Sequence, residues 1–107
     1  MDSIHALSWF QVENLLLNNV NFLLLDLRVK KSRQDEPINF FKKALSVDES
    51  EVLTKVRELL PHVAHPVLLI CDNGKQSALK AEELNSMGFL NVYFFLGGYE
   101  VLKQEAL

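Results

Sequence analysis

The chain has 107 residues, of which 49% are hydrophobic, and a formal net charge of −3. This length and composition predict one globular domain over residues 1–107, with enough apolar side chains for one core. The negative charge argues against a general nucleic-acid or membrane-surface binder, because such proteins gain affinity from basic residues. The single cysteine excludes an internal disulfide and any Cys-x-x-Cys redox or zinc motif.

The N-terminus carries no sign of an export signal. Residues 1–5 include Asp2 and lack the basic segment and apolar stretch of a secretory signal. The apolar runs at residues 22–25 and 67–71 are far shorter than the roughly 20 residues of a membrane-spanning helix. Together with the lone cysteine, these observations predict a cytoplasmic, reduced protein.

A helix and then a strand are predicted at the start of the chain. Ser8 is suited to cap a helix that continues to residue 18, with Phe10 and Val12 on its apolar side. Residues 22–25 are continuously apolar, which is typical of a strand buried on both faces. A strand of this kind indicates a sheet with helices on either side.

The middle of the chain is less regular. Residues 30–36 form a polar stretch that ends at Pro37, which indicates a loop. A short strand is predicted at residues 43–47. A helix then begins at residue 48 or 50 and reaches residue 60, where Pro61 limits it.

The second half shows a clearer alternation of strands and helices. Gly88 suits the C-terminal position of the first helix in this half. Repeated alternation predicts an α/β fold, in which a parallel sheet is flanked by helices on both faces. The predicted elements are a strand at 66–70, a turn at 72–74, a helix at 77–87, a strand at 91–96, a turn at 97–98 and a helix at 99–106.

Cys71 stands where a parallel sheet places functional groups, because ligands bind beyond the carboxyl ends of the strands. It is followed by a short turn with a central glycine, which can direct N–H groups inward as an anion-binding nest. The next helix N-terminus and Lys75 add positive charge, which favours a thiolate. The predicted substrate-binding loop consists of Asp72, Asn73, Gly74, Lys75, Gln76 and Ser77.

Local context alone leaves a second interpretation open. A lone cysteine that follows four apolar residues is often a small buried hydrophobic residue without chemistry. The sequence Asp72-Asn73-Gly74 is equally that of an ordinary turn. The residue pattern by itself does not separate the two interpretations.

Four segments resemble motifs of the rhodanese family, in the family's order. Residues 71–77, Cys-Asp-Asn-Gly-Lys-Gln-Ser, resemble its active-site loop, in which Cys-x-x-Gly-x-x-Ser is common. Residues 24–28, 81–89 and 91–98 resemble its Leu-Asp-Val-Arg motif, the helix and glycine after the loop, and its strand that ends in two glycines. The likeness covers almost the whole chain and is closest to small one-domain members of the phage-shock protein E type.

Two segments depart from the family's pattern. Its His-Ile-Pro-Gly-Ala segment is replaced by residues 40–44, Phe-Phe-Lys-Lys-Ala, so we expect the loop that borders the site to be built differently. The tryptophan often found four residues after the second glycine is Leu102 here. We expect that second change to affect packing only.

The resemblance implies a two-step sulfur exchange at Cys71. The thiolate takes a sulfane sulfur from a small anionic donor such as thiosulfate and becomes a persulfide. That sulfur then passes to a thiol, to cyanide or to a protein acceptor. The exchange requires no cofactor and no metal, and neither nucleic acid nor membrane is expected as a partner.

Asp26 and Arg28 lie at the end of a predicted strand, and we expect both to be structural residues near the site. Asp26 is expected to bond neighbouring loop amides. Arg28 is expected to pair with a carboxylate such as Asp35 or Glu36.

The residues also bear on three other functions: oxyanion chemistry, metal binding and a role without catalysis. Phosphatases and arsenate reductases of a related fold have an arginine where Ser77 stands, and without it an oxyanion loses its bidentate clamp. His62 and His65 could suggest a metal pair, but no third ligand is evident in the sequence. The main alternative to an enzyme is a non-catalytic sulfur carrier or protein-interaction module, which the altered residues 40–44 support.

Overall fold

Strands and helices alternate along the chain, as the sequence predicts. The computed structural model describes residues 4–18, 21–29, 44–60 and 62–106. The elements in chain order are β1 (Ile4–Leu7), α1 (Trp9–Leu17), β2 (Leu23–Asp26), β3 (Leu45–Ser46), a 3₁₀ turn (Glu49–Glu51), α2 (Val52–Leu59), β4 (Val67–Ile70), α3 (Lys75–Ser86), β5 (Val92–Phe95) and α4 (Gly98–Ala106).

The strands pair in parallel as one sheet, in the order β1-β5-β4-β2-β3. The central strand β4 pairs with β2 on one side and with β5 on the other. All four residues of β4 are buried, because a strand covered on both faces exposes neither set of alternating side chains. The carboxyl end of this central strand is therefore the point at which Cys71 leaves the sheet.

Helices cover both faces of the sheet, which confirms the predicted architecture. On one face, Val56 of α2 and Leu84 of α3 pack in a buried cluster with strand residues such as Leu69. On the other face, Val12 of α1 and Leu102 of α4 pack in a second cluster with the intervening strand residues. Because alternate residues of a strand point to opposite faces, the continuously apolar strands supply both clusters.

The start of α1 agrees with the prediction, but its apolar side is narrower than expected. The carbonyl of Ser8 accepts the first helical hydrogen bond, from the N–H of Val12, and the side chain of Gln11 accepts the N–H of Ser8 in return. Val12 is fully buried, whereas Phe10 is 69% exposed. The prediction that Phe10 belongs to the core side was therefore wrong, since α1 presents only part of its apolar surface to the sheet.

Strand β1 and the start of α3 differ most from the sequence prediction. Strand β1 was not predicted, since a four-residue segment has little periodicity and is held at the edge of the sheet by pairing with the distant strand β5. Helix α3 begins at Lys75 rather than at residue 77. Gly74 adopts a left-handed conformation (φ +88°) before the helix, and the side chain of Asn73 accepts the N–H of Lys75. These two features start the helix early.

Some predictions fall outside the described residues. The predicted loop at 30–36 and residues 40–43 lie outside them, and the predicted strand at 43–47 is observed as the two-residue strand β3. Within the described ranges, none of the helices combines the length and apolar character needed to cross a membrane.

Candidate active site

Cys71 is placed by the sheet. It follows the last residue of β4 directly, and the carbonyl of Ile70 accepts the N–H of Leu27 from the neighbouring strand end. The turn at 72–74 then leads into α3. Cys71 is only 1% exposed, so its side chain lies inside the loop rather than on top of it. The local fold therefore surrounds the sulfur with loop backbone.

Three donor groups converge on the Sγ of Cys71, and we call them the sulfur cradle. The N–H of Gly74 donates to Sγ at 3.1 Å and the N–H of Ser77 at 3.3 Å. The hydroxyl oxygen of Ser77 lies 3.3 Å from Sγ, within hydrogen-bond distance. Hydrogen bonds to the charged form of a group favour that form, and the N-terminus of α3 adds partial positive charge. The cradle is built to stabilise negative charge on sulfur.

The hydroxyl of Ser77 has two possible acceptors. Its oxygen is 3.3 Å from the carbonyl oxygen of Gly74, to which it can donate, and also 3.3 Å from Sγ of Cys71. A hydroxyl carries one proton and can rotate to suit its surroundings. When Cys71 is a thiol, its S–H can donate to Ser77; when it is a thiolate, Ser77 can turn and donate to sulfur.

The remaining residues of the predicted loop divide by what their side chains contact. The carboxylate of Asp72 accepts the N–H of Val29 at 3.1 Å, which ties the loop to the end of β2. The side chain of Asn73 accepts the N–H of Lys75 at 3.0 Å. Lys75 and Gln76 are exposed in the first turn of α3. The structure thus brings Gly74 and Ser77 to the sulfur, while the side chain of Asp72 bonds Val29 outside the loop and that of Asn73 bonds within it.

Asp26 and Arg28 form a buried ion pair at the end of β2. The guanidinium of Arg28 donates to the Asp26 carboxylate at 2.8 Å, and the two residues are 0% and 1% exposed. Asp26 also accepts the backbone N–H of Arg28, so it bonds a loop amide as expected. The carboxylate partner that the structure describes for Arg28 is Asp26, and the two predicted partners, Asp35 and Glu36, lie outside the described residues.

The sequence interpretation missed a contribution from the start of α4. The N–H of Tyr99 donates to the carbonyl of Cys71 at 2.8 Å, and the N–H of Glu100 donates to the carbonyl of Asp72 at 3.0 Å. The first N–H groups of a helix have no partner within it, and here the cysteine loop supplies two acceptors. The two glycines before Tyr99 were the available signal, but they were interpreted only as a turn.

The structure describes both histidines and one residue of the altered segment 40–44. The rings of His62 and His65 have centroids 6.4 Å apart in an edge-to-face arrangement. No group of three His, Cys, Asp or Glu residues suited to a metal occurs among the residues that the structure describes. Of residues 40–44, only Ala44 is described, and it is half-buried against the second core cluster.

The fold and the loop define an α/β protein in which hydrogen-bond donors of one loop are directed at a cysteine sulfur. The family model of the rhodanese-like domain matches residues 11–105, so the chain belongs to the rhodanese-like family. No curated protein matches it at the level of sequence.

Solved structures share this fold at low sequence identity. The human single-domain sulfurtransferase TSTD1 has a TM-score of 0.73 and 18% identity, with 94% of this chain and 96% of that chain covered. The reduced CoADR-RHD of Bacillus anthracis has a TM-score of 0.72 and 18% identity, and it covers 92% of this chain. This chain spans only 16% of that much longer protein.

A third similar structure bears on the alternative chemistry. A Rhodopseudomonas palustris protein of unknown function, described as a possible tyrosine phosphatase, has a TM-score of 0.76 and 18% identity, with 97% of this chain and 83% of that chain covered. Similarity at this level establishes the fold, and the same fold can host different chemistry. The function must therefore be argued from the loop itself.

Proposed function

We propose that the chain is a sulfurtransferase that carries a sulfane sulfur as a persulfide on Cys71. The observation that carries this proposal is the convergence of the Gly74 N–H, the Ser77 N–H and the Ser77 hydroxyl on one sulfur atom. Donors directed at Sγ stabilise the thiolate, which attacks in the first step and leaves in the second. Membership of the rhodanese-like family supports the same assignment.

In the first step the Cys71 thiolate attacks the outer sulfur of thiosulfate. A new S–S bond forms to Cys71, the S–S bond of thiosulfate breaks, and sulfite leaves with the bonding electron pair. The total charge of −3 is the same before and after the step, because one thiolate and one dianion become one persulfide anion and one dianion. No proton is transferred, so the loop needs no acid or base, and no cofactor takes part.

In the second step an acceptor removes the outer sulfur. Cyanide attacks it, the S–S bond breaks toward Cys71, and thiocyanate leaves while the thiolate returns. A thiolate acceptor, from a small molecule or from a protein, reacts in the same way and becomes a persulfide itself. The cradle stabilises the leaving thiolate in this step as it stabilises the attacking one in the first.

A second candidate function is a sulfur carrier or interaction module without turnover. The burial of Cys71, which is 1% exposed, favours the interaction module, because a donor must reach the sulfur both for turnover and for sulfur carriage. The phosphatase alternative has less support, because Ser77 stands where that chemistry uses an arginine to clamp an oxyanion.

Transfer of sulfur from thiosulfate to cyanide, followed as thiocyanate, tests the proposal. We expect multiple turnovers from the natural chain and none from Cys71→Ser. A chain that loads one sulfur but does not turn over supports the carrier. Measurable turnover that is the same in the natural chain and in Cys71→Ser contradicts both candidates.

A further inference from the structure

We propose that Tyr99 is a positioning residue for Cys71, held in place by the guanidinium of Arg28. This inference rests on the proposed sulfur transfer at Cys71 and adds a residue that no loop motif includes. It assigns a function to the aromatic ring at the start of α4, and it links the buried Asp26–Arg28 pair to the reacting sulfur.

The ring of Tyr99 is fixed from one side. The guanidinium carbon of Arg28 lies 4.3 Å from the ring centroid, which is the geometry of a cation–π contact. Both side chains are buried, with Tyr99 only 3% exposed. A cation–π contact is stronger where water is excluded. The guanidinium itself is held by Asp26 through three contacts at 2.8 to 3.2 Å.

The main chain of Tyr99 connects the held ring to the cysteine loop. Its N–H donates to the carbonyl of Cys71 at 2.8 Å, and the next N–H, from Glu100, donates to the carbonyl of Asp72 at 3.0 Å. Two successive carbonyls of the loop are therefore tied to the first turn of α4. With those carbonyls held, the chain turns so that the N–H groups of Gly74 and Ser77 face Sγ.

A plain packing role for Tyr99 makes a different prediction. Tyr99 belongs to the same apolar cluster as Tyr93, Leu102 and Phe95. If its ring only fills space, its replacement by leucine should lower stability and leave the chemistry of the folded protein unchanged. If the ring instead fixes the position of the Cys71 carbonyl, the replacement should also weaken the hydrogen bonds that the sulfur cradle makes to Sγ.

The test compares Tyr99→Phe, Tyr99→Leu and the control Tyr93→Leu. The control makes the same change at a half-buried tyrosine of β5. The readouts are the rate of sulfur loading from thiosulfate and the pH dependence of Cys71 alkylation by iodoacetamide. A thermal melt of each variant shows whether it is folded at the assay temperature, and only folded variants are compared.

We expect Tyr93→Leu to match the natural chain in both readouts, and Tyr99→Phe to lie closer to the natural chain than Tyr99→Leu does, because it keeps the aromatic ring that the Arg28 guanidinium contacts. Tyr99→Leu should load sulfur about tenfold more slowly, which corresponds to about 1.4 kcal/mol in activation free energy. The midpoint of its alkylation profile should move to higher pH, because a looser cradle stabilises the thiolate less. A folded Tyr99→Leu that matches Tyr93→Leu in both readouts overturns the inference.

Fluorinated phenylalanines at position 99 keep the test valid if Tyr99→Leu does not fold. Fluorine withdraws electron density from the ring face and weakens the cation–π contact with little change in shape. We expect loading to slow, and the alkylation midpoint to rise, with each added fluorine; a flat series contradicts the inference. If the natural chain accepts no sulfur, the proposed function fails, while the alkylation profile still tests the position of Cys71.

Discussion

Gly98 lies directly against the carbonyl of Cys71. A Cβ atom added at Gly98 would fall 2.5 Å from the Cys71 carbonyl oxygen and 2.5 Å from the backbone N of Gly74, with the N of Asn73 at 2.7 Å. These atoms belong to backbone, which cannot move aside as a side-chain end can. The absence of a side chain at Gly98 therefore lets α4 approach closely enough to bond the cysteine loop.

Gly98→Ala should lower the free energy of unfolding much more than Gly88→Ala does. Both glycines have positive φ, at +68° and +99°, but nothing lies within 4 Å of a Cβ at Gly88. Each alanine costs about 1 kcal/mol for its backbone conformation. Gly98→Ala adds about 1–3 kcal/mol for the clash. Urea unfolding measures the difference.

Sulfur loading provides a second measurement on the same pair of variants. Gly98→Ala should slow loading even under conditions where it is folded, because the displaced loop carries the cradle. Gly88→Ala should load like the natural chain. If the two alanine variants have equal effects on stability and on loading, a glycine is not needed at position 98 for α4 to approach the cysteine loop.

Ser77→Ala should slow sulfur loading while the chain stays folded. It removes the hydroxyl that lies 3.3 Å from Sγ and leaves the backbone N–H of position 77 in place. A hydrogen bond to a charged group contributes about 1.5 kcal/mol, so the expected loss is about tenfold. Single-turnover loading from thiosulfate, followed by mass, gives the rate.

Ser86→Ala is the matched control for this prediction. Ser86 lies on the same helix, is exposed, and bonds only the carbonyl of Glu82 among the contacts described for its side chain. Its replacement should leave loading unchanged. If Ser77→Ala loads as fast as Ser86→Ala, the hydroxyl contributes nothing to the chemistry of the cradle.

Lys75→Ala should reduce kcat/KM for thiosulfate, and Lys75→Glu should reduce it further. Lys75 is exposed one residue after Gly74, and in the proposed mechanism its charge attracts a dianionic donor and offsets the charge of the departing sulfite. The expected effect of Lys75→Ala is about tenfold at low salt. Initial rates at increasing thiosulfate concentration measure it.

Salt and a second lysine separate a local effect of Lys75 from a change in net charge. Added salt should narrow the difference between the natural chain and Lys75→Ala, because mobile ions screen an exposed charge. Lys55→Ala changes the net charge equally and lies on α2, where Lys55 pairs with Glu58, so it should have little effect. Unchanged kinetics in both Lys75 variants at low salt would place Lys75 outside the site.

The sequence predicts the layers of the fold well, because runs of apolar residues indicate which strands are buried on both faces. The continuously apolar strands β2 and β4 indicate coverage on both faces, and both faces are covered. Strand β1 escaped prediction because its pairing with β5 is non-local. The early start of α3 depended on the left-handed Gly74 and on one Asn73 hydrogen bond, neither of which follows from periodicity.

The candidate site is predictable only where its residues are adjacent in sequence. Cys71, Gly74 and Ser77 lie within one loop, so their spacing carries the information. Tyr99 and Gly98 reach the same loop from another element, and no local pattern links them to it. Asp72 belongs to the loop in sequence, yet its carboxylate binds the N–H of Val29, because a loop must also be anchored.

The intact mass of the protein after incubation with thiosulfate tests the central claim most directly. The account predicts that the natural chain gains the mass of one sulfur atom and loses it on addition of cyanide, with release of thiocyanate. Cys71→Ser should show no gain under the same conditions. A natural chain that stays unmodified, or a Cys71→Ser variant that gains the same mass, would contradict the assignment of Cys71 as the sulfur-carrying residue.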